Sequence, residues 1–327
     1  MPRMAVVFHP LKVRADLVER VFEAARLAAG WEENAFLATT EDDFGSGIAR
    51  RAAEDGFDVV TAVGGDGTVR EVAAGLRGTG VPMGIVPQGT GNLLARNLGL
   101  PLVLERAVEI AYTGRERAID VGVLEATRQD GTTTGEQVFL VMAGMGVDAE
   151  MVRATRPVLK RTIGWVAYAD AVARTLPRSK PFRVGYRVDY RAQRTVRVHS
   201  MVLANCDMLP GGLRVVPDSQ LDDGVFELAA FRPRGIFGVA RVWTTVAIGN
   251  TLLRRSELGR RIRERRTAPG GDIFYRRGTR AVLLAERPVG VQLDGDDLGD
   301  AIALVARLEP RALLVRSLDP FSGTERG

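Results

Sequence analysis

Five consecutive residues, Gly64-Gly65-Asp66-Gly67-Thr68, place three glycines, a carboxylate and a hydroxyl between two apolar runs. Residues 57–63 before them are β-branched and read as a buried strand; residues 69–76 after them carry one apolar face and read as a helix. A glycine-rich turn from a strand into a helix N-terminus is an anion site. Missing Cβ atoms let phosphates reach the backbone, N–H groups point outward, and the helix dipole favours negative charge. A carboxylate inside such a cradle makes sense where a metal ion, or a network around one, accompanies the phosphates, which gives Asp66 a metal role. A turn that merely connects two elements needs less φ freedom than three glycines supply.

A second unit of the same kind follows. Residues 83–87 read as a strand, Gln88-Gly89-Thr90-Gly91-Asn92 as a turn, and residues 93–98 as a helix. Both turns then lie at the carboxyl ends of strands, the edge of an open α/β sheet where ligands bind. No G-x-G-x-x-G opens the first βα unit and no Gly-Lys-Ser/Thr follows, so neither the dinucleotide fingerprint nor the Walker A loop is present. Late in the chain, an apolar strand over 289–293 delivers Leu293-Asp294-Gly295-Asp296. Two carboxylates two residues apart can divide the work of a base and a metal or network partner; the same residues also make an ordinary β-turn.

The elements that must position these turns alternate in the first third. Strands are expected at 4–8 and 34–39, helices at 16–29, 43–55 and 103–111, the pattern of a parallel sheet covered on both faces. After residue 120 the pattern becomes short β-branched runs at 121–125, 137–142, 182–188, 195–203, 224–231, 280–285 and 289–293. Helical stretches at 164–176 and 236–266 interrupt them. The expected fold class is α/β plus all-β: an N-terminal parallel α/β nucleotide domain followed by a β-sandwich-like domain.

Bulk properties narrow the chemistry. The chain has 327 residues, 46% hydrophobic and 26% charged, enough for two globular, soluble domains. No apolar run approaches the ~18 residues of a membrane span, and the N-terminus enters a strand directly, without a signal-peptide pattern. One cysteine, Cys206, allows no internal disulfide and reads as an inert core thiol. Two histidines and that cysteine cannot build a closed zinc site, so a metal here would be oxygen-ligated. The formal charge is +5, and the cations are nearly all arginine. That bias suits anionic headgroups, and a codon preference would equally produce it. The basic runs lack interleaved aromatics, which argues against nucleic acid. Arg254, Arg255, Arg260, Arg261, Arg263, Arg265 and Arg266, with Arg276, Arg277 and Arg280, form a basic cluster. It fits an anionic bilayer, a solvated face or a subunit contact.

In order along the chain, these motifs resemble the diacylglycerol kinase catalytic-domain family, which includes bacterial lipid kinases and sphingosine kinases. The further motifs are His9-Pro10, Thr40, Ile119-Asp120-Val121-Gly122, Gly144-Met145-Gly146-Val147-Asp148, Pro210-Gly211-Gly212 and Leu221-Asp222-Asp223-Gly224. The first glycine motif is shared with NAD kinases and phosphofructokinases; the ordered set is specific. The resemblance implies an ATP-binding domain over 1–122 with 310–327 returning, a lipid-substrate domain over 123–309, and an active site in the cleft between them. It implies transfer of the ATP γ-phosphate to a lipid hydroxyl, with diacylglycerol the leading acceptor and Mg2+ as the metal. His9, Pro10, Thr40, Gly64, Gly65, Asp66, Gly67, Thr68, Gly89, Thr90 and Asn92 would hold the nucleotide. Glu71 would reach ribose or base, or simply favour the helix dipole. Asp294 and Asp296 would be the catalytic acids, and Asp120 with Asp66 an acidic network around magnesium. A structural magnesium would sit on the Asp223 carboxylate and the carbonyls of Gln220 and Val225, residues that also read as a hairpin turn.

Three residues depart from the family pattern. Leu93 stands where an Asp is usual, Asp296 where Glu is usual, and His9 where Asn is usual. Leu93 and Asp296 keep in view a catalytically weak nucleotide- or lipid-binding homologue; the shared first glycine motif keeps in view an NAD kinase-like enzyme. The implied partners are a lipid at an anionic membrane surface and no nucleic acid, with no transmembrane segment. A homodimer is compatible. The implied location is the cytoplasm, with transient visits to the inner membrane face.

Overall fold

The computed structural model describes residues 1–146, 180–209, 213–214, 219–233 and 271–318. The helices expected at 164–176 and 236–266, the arginines from 254 to 266, the motif at 210–212, and Val147 and Asp148 lie outside the described residues. The chain divides into two compact units, Met1–Val121 with Pro310–Gly327, and Gly122–Glu309.

The first unit alternates strand and helix: β1 (Met4–Phe8), α1 (Ala15–Ala29), β2 (Ala35–Ala38), α2 (Ser46–Glu54), β3 (Val59–Gly64), α3 (Asp66–Leu76), β4 (Met83–Pro87), α4 (Leu93–Asn97) and α5 (Leu104–Thr113). β5 (Arg115–Thr127) carries the chain from this unit into the next. Strands β4, β3, β1 and β2 lie side by side and parallel. Every residue of β1, β3 and β4 is buried, as a sheet covered on both faces requires. Met4, Val6, Phe8, Val59, Val63 and Val86 pack with Val18 and Phe22 of α1 and Val108 and Tyr112 of α5. The period-two and period-3.6 patterns thus meet in one core.

α1 ends at Gly30, whose φ of +70° gives the left-handed cap that closes the last carbonyls. α3 differs from expectation. It starts at Asp66, three residues before the expected 69, because the glycine run is itself the helix's first turn. Asp66 in that turn complements the positive end of the helix dipole.

The second unit holds the rest of β5, then β6 (Gln137–Phe139), β7 (Met142–Gly146), β8 (Phe182–Val188), β9 (Arg194–Val198) and β10 (Ser200–Ala204). β11 (Met208–Leu209), β12 (Leu213–Arg214), β13 (Phe226–Phe231), β14 (Ile273–Gly278) and β15 (Arg280–Leu293) follow. β16 (Asp296–Ser317) begins here and ends in the first unit, where Val315 pairs parallel with Met83. The order β14-β13-β10-β7-β15 is antiparallel throughout. β15 was expected as two strands and is one, with a register irregularity between Leu284 and Val289. Before the irregularity β15 pairs with β8; after it, with β7. Pro288 lies within it and has no N–H to give a ladder. A strand that changes partner at a bulge is how a sheet folds into two layers. Residues from both sets of strands, among them Phe182, Tyr186, Leu203, Phe226, Leu283 and Val291, share one core. The expected α/β plus β architecture is therefore the observed one. Among the described residues no helix is long and apolar enough to cross a membrane.

Tyr112 ties α5 to the loop after α1. Its hydroxyl donates to Asn34 Oδ1 at 2.7 Å, and its ring packs edge-on against Trp31 and Phe22. Burial pushes the hydroxyl up to about 12, against the opposing pull of the bond to Asn34. An unfolded tyrosine ionises near 10, so the folded state keeps its proton longer. The resulting stabilisation is complete below pH 10 and is lost as pH rises towards 12. Urea unfolding across this window should show stability falling with pH in the wild type, with a shallower fall in Tyr112→Phe.

Candidate active site

The two glycine turns are built as one object. Gly64 and Pro87 are register partners at the ends of β3 and β4, and Gln88 N–H donates to the Gly64 carbonyl at 2.8 Å. Beyond them the turns touch backbone to backbone. A Cβ on Gly89 would lie 2.6 Å from the Gly65 Cα, and one on Gly91 would lie 2.5 Å from Asp66 Oδ2. These glycines are needed because one turn packs on the other, a reason separate from any ligand.

Asp66 is the fastener. Its Oδ2 accepts the Asn92 N–H at 2.9 Å and its Oδ1 accepts the Leu93 N–H. The first turn of α3 thus caps the start of α4. Asn92, at φ +49°, closes its own turn: its Oδ1 accepts from Gly89 N–H at 2.9 Å and its Nδ2 donates to the Gly89 carbonyl at 2.8 Å. Asn tolerates this left-handed conformation better than most residues. Leu93 is buried, its side chain in the core and its N–H on Asp66. Thr68 is buried beneath Gly64, while Gln88, Gly89 and Thr90 are exposed. The capping residue of α3, Gly65, has no side chain to bond the first-turn N–H groups.

The flanking residues follow the neighbouring strands at the same sheet edge. Phe8 is paired with Val63 on one side and Ala38 on the other, so His9 and Thr40 follow the carboxyl ends of β1 and β2, and Gly64 itself ends β3 on the other side of β1. Leu11 N–H donates to His9 Nδ1 at 3.3 Å, which leaves Nε2 to carry the proton of the neutral ring. The His9 carbonyl accepts from Lys12 and Val13, which shapes the exposed Pro10 turn. Thr40 Oγ1 accepts the Asp43 N–H at 3.1 Å and keeps its own hydrogen to donate. Glu71, half-buried one turn into α3, has Arg70 Nε 4.0 Å away. Asp120 is fully buried on β5, and its Oδ1 accepts the Arg311 N–H at 2.8 Å. Arg311 has φ +51°, so Asp120 secures an irregular point of the returning strand.

In the second unit the late acid pair separates into two environments. Asp294 and Gly295, at φ +48° and +90°, form the two-residue turn between β15 and β16, with Leu293 and Asp296 as the closing pair. Left-handed values at both positions are those of a type I′ hairpin, the turn Asp-Gly favours. Asp294 is buried. Its Oδ1 accepts from Val141 at 2.8 Å and Met142 at 2.9 Å, and its Oδ2 accepts from Leu140 at 2.8 Å. One strand was expected over 137–142; two are found, broken at Leu140-Val141, because those N–H groups turn to the carboxylate instead of a neighbouring strand. Asn205 completes the break, donating from Nδ2 to the Leu140 carbonyl at 3.0 Å and from its N–H to the Val141 carbonyl at 2.9 Å. Sequence reading missed this role of Asn205; the signal was an amide directly after an apolar strand. Cys206 is buried beside it, as expected of a core thiol. Asp296, one residue past the turn, is exposed.

The acids expected to hold a metal are hydrogen-bonded to donors of the protein itself. Both Asp66 oxygens already accept backbone N–H groups, and among the described residues no three His, Cys, Asp or Glu side chains come together to hold an ion. At the expected structural site, Asp223 Oδ1 accepts the Val225 N–H at 3.2 Å, and the Arg277 guanidinium bonds Oδ2. Arg277 Nε also lies 3.3 Å from Glu227 Oε1, its cross-strand partner on β13. An arginine cation thus bonds the carboxylate to which the resemblance assigns a magnesium, together with Gln220 and Val225. Thermal unfolding of the wild type should be indifferent to Mg2+ or EDTA. Arg277→Ala should lose about 1–2 kcal/mol, since it strips the counter-charge from the buried Glu227, and regain part of it with millimolar Mg2+. Calorimetry in both buffers checks this.

Comparison with known proteins agrees with these motifs. The sequence model of the diacylglycerol kinase catalytic domain matches residues 5–124. The chain is 28% identical over 255 residues to a diacylglycerol kinase of Bacillus subtilis (strain 168), covering 76% of this chain and 80% of the relative. It is 32% identical over 222 residues to the "probable lipid kinase YegS-like" protein of Chromohalobacter salexigens, covering 67% of this chain and 68% of the relative. The solved structure of a diacylglycerol kinase from Bacillus anthracis str. Sterne aligns with a TM-score of 0.67 at 20% identity, over 98% of this chain and 97% of that one, a likeness of fold.

Proposed function

Because the chain belongs to the diacylglycerol kinase catalytic-domain family, we propose that this lipid kinase moves the γ-phosphoryl group of ATP to a lipid hydroxyl, with diacylglycerol giving phosphatidic acid. The observation that carries the reading is the pair of fastened glycine turns at the carboxyl edge of a parallel sheet, with the uncapped first turn of α3 beside them. Such a turn offers backbone N–H groups and a positive dipole end to phosphate oxygens. His9 Nε2–H and the Thr40 hydroxyl would be further donors for the triphosphate, and Glu71 would reach the ribose or base. A magnesium ion accompanying the nucleotide would be held by its phosphates and would supply charge neutralisation at the transferred group.

The reading assigns base and anchor differently to the two late acids. Asp294 is committed to three backbone N–H groups, so it positions the hairpin. Asp296 is the exposed carboxylate next to it and takes the base role. It accepts the lipid hydroxyl's proton as the new O–P bond forms and the bond from the γ-phosphorus to the ADP oxygen breaks. The phosphoryl group passes to the lipid and ADP leaves.

The test is turnover with γ-labelled MgATP and detergent mixed micelles of diacylglycerol, a sphingoid base or phosphatidylglycerol. Labelled phosphatidic acid is the expected product. Asp296→Asn should lower kcat by roughly 10²–10⁴-fold with the KM for ATP unchanged. Full activity in Asp296→Asn would remove it as the base. ATP binding without any labelled lipid would favour a nucleotide-binding homologue without turnover, the reading that Leu93 supports.

A further inference from the structure

One face of the second unit breaks the usual rule for a half-exposed sheet. Strands β9, β8, β15 and β16 are hydrogen-bonded in that order. Their inward residues, such as Tyr186, Leu283 and Leu304, lie in the core. The outward residues should be mixed and polar. Instead Val282 faces Val305 in register and Leu284 faces Ala303 in the next row. Leu284 is 45% exposed and Val305 53%. These are register neighbours, so they form one apolar patch rather than scattered single side chains.

Arginines surround that patch. Arg187 is the partner of Val282 on the side away from Val305. Arg183 and Arg197 are directly opposite each other on β8 and β9, and both are exposed. Arg280, exposed, stands at the other end of β15 opposite Arg307. Arg307 is matched by Glu136 and Glu309. Among the described residues the side chains of Arg183, Arg187, Arg197 and Arg280 form no ion pair with an acid; Glu286 accepts the Arg183 backbone N–H and Asp189 that of Arg280. Like charges directly opposite on a sheet repel, and an anionic partner removes that repulsion.

We propose that this four-stranded face is the surface by which the protein lies on a bilayer rich in anionic lipid. The proposal rests on the lipid-kinase reading and deepens it, since it says which surface meets the membrane. Arginine guanidinium groups bind phosphate oxygens bidentately, and juxtamembrane cations gain from the negative surface potential. The aliphatic patch at the centre enters the headgroup–acyl boundary. A nucleic acid is the poorer fit, because it offers nothing to bury Leu284 and Val305, and Val282, Leu284, Ala303 and Val305 are all aliphatic, with no ring among them for a base to stack on.

The experiment is co-sedimentation with vesicles of pure phosphatidylcholine and of phosphatidylcholine with phosphatidylglycerol, at low and high salt. The wild type should bind only the anionic vesicles and be released by salt. The double variant Arg183→Glu/Arg197→Glu should bind them at least about tenfold more weakly. Arg183→Lys/Arg197→Lys should keep most binding, and Val305→Ser should lose part of it at both salt levels. Activity on detergent micelles, which present no bilayer, should be unchanged in all of them. That arm separates this proposal from the kinase reading, because absent micelle activity in the wild type counts against the latter alone. Wild-type affinity of the charge-reversed variant for anionic vesicles would overturn the proposal. So would tighter binding of the wild type to duplex DNA than to those vesicles at equal salt.

Discussion

The structure of the candidate site depends on a carboxylate facing two backbone N–H groups. Asp66 lies in the first turn of α3 and accepts from Asn92 and Leu93 at the start of α4. An α-helix leaves its first N–H groups without intrahelical partners. Charge-assisted bonds to a carboxylate are stronger than neutral ones. One side chain therefore satisfies the opening of one helix from the opening of another. The geometry this imposes is severe: the turns come so close that a side chain at Gly89 would collide with the Gly65 backbone and one at Gly91 with the Asp66 carboxylate. Glycine here serves the contact between turns first, and the exposed surface that results is what a phosphate chain would meet.

The same device recurs in the second unit. Asp294 gathers the N–H groups of Leu140, Val141 and Met142 and ends one strand before another begins. Asp223 has a guanidinium on one oxygen and a backbone N–H on the other. Asp66 and Asp223, which the resemblance assigns to metal ions, and Asp294, which it makes catalytic, all accept hydrogen bonds from donors belonging to the protein. Leu93 fits this pattern: where an acid would have extended a network, the chain places a buried aliphatic side chain and uses only its N–H.

Much of the fold was legible because its signals are local. β1, β4 and β8 have the bounds that their apolar runs imply, and the glycine turns stand where strand gives way to helix. What was not legible depends on distant partners. β14 was not read as a strand, since Tyr275-Arg276-Arg277 shows no clean alternation; Phe226 to Phe231 on β13 define it by pairing. The charged opening of β16, Asp296-Asp297, looked like the end of a turn and is a strand because β15 pairs with it. The motif residues were visible as types, but not their commitments. Nothing local says that Asp294 will be buried on Leu140–Met142 while Asp296, two residues on, stays exposed. Nor could spacing reveal Arg277, far along the chain, as the cation on Asp223.

The central claim is that Asp66 holds the two turns together through backbone N–H groups, without a metal. The direct measurement is amide hydrogen exchange at Asn92 and Leu93 in nucleotide-free protein with EDTA present, for the wild type and Asp66→Asn. The account predicts protected amides at both positions in the wild type and faster exchange in the variant, with the core strands β1 and β3 unaffected. Equal, fast exchange at Asn92 and Leu93 in both proteins, with protection appearing only when Mg2+ is added, would contradict it.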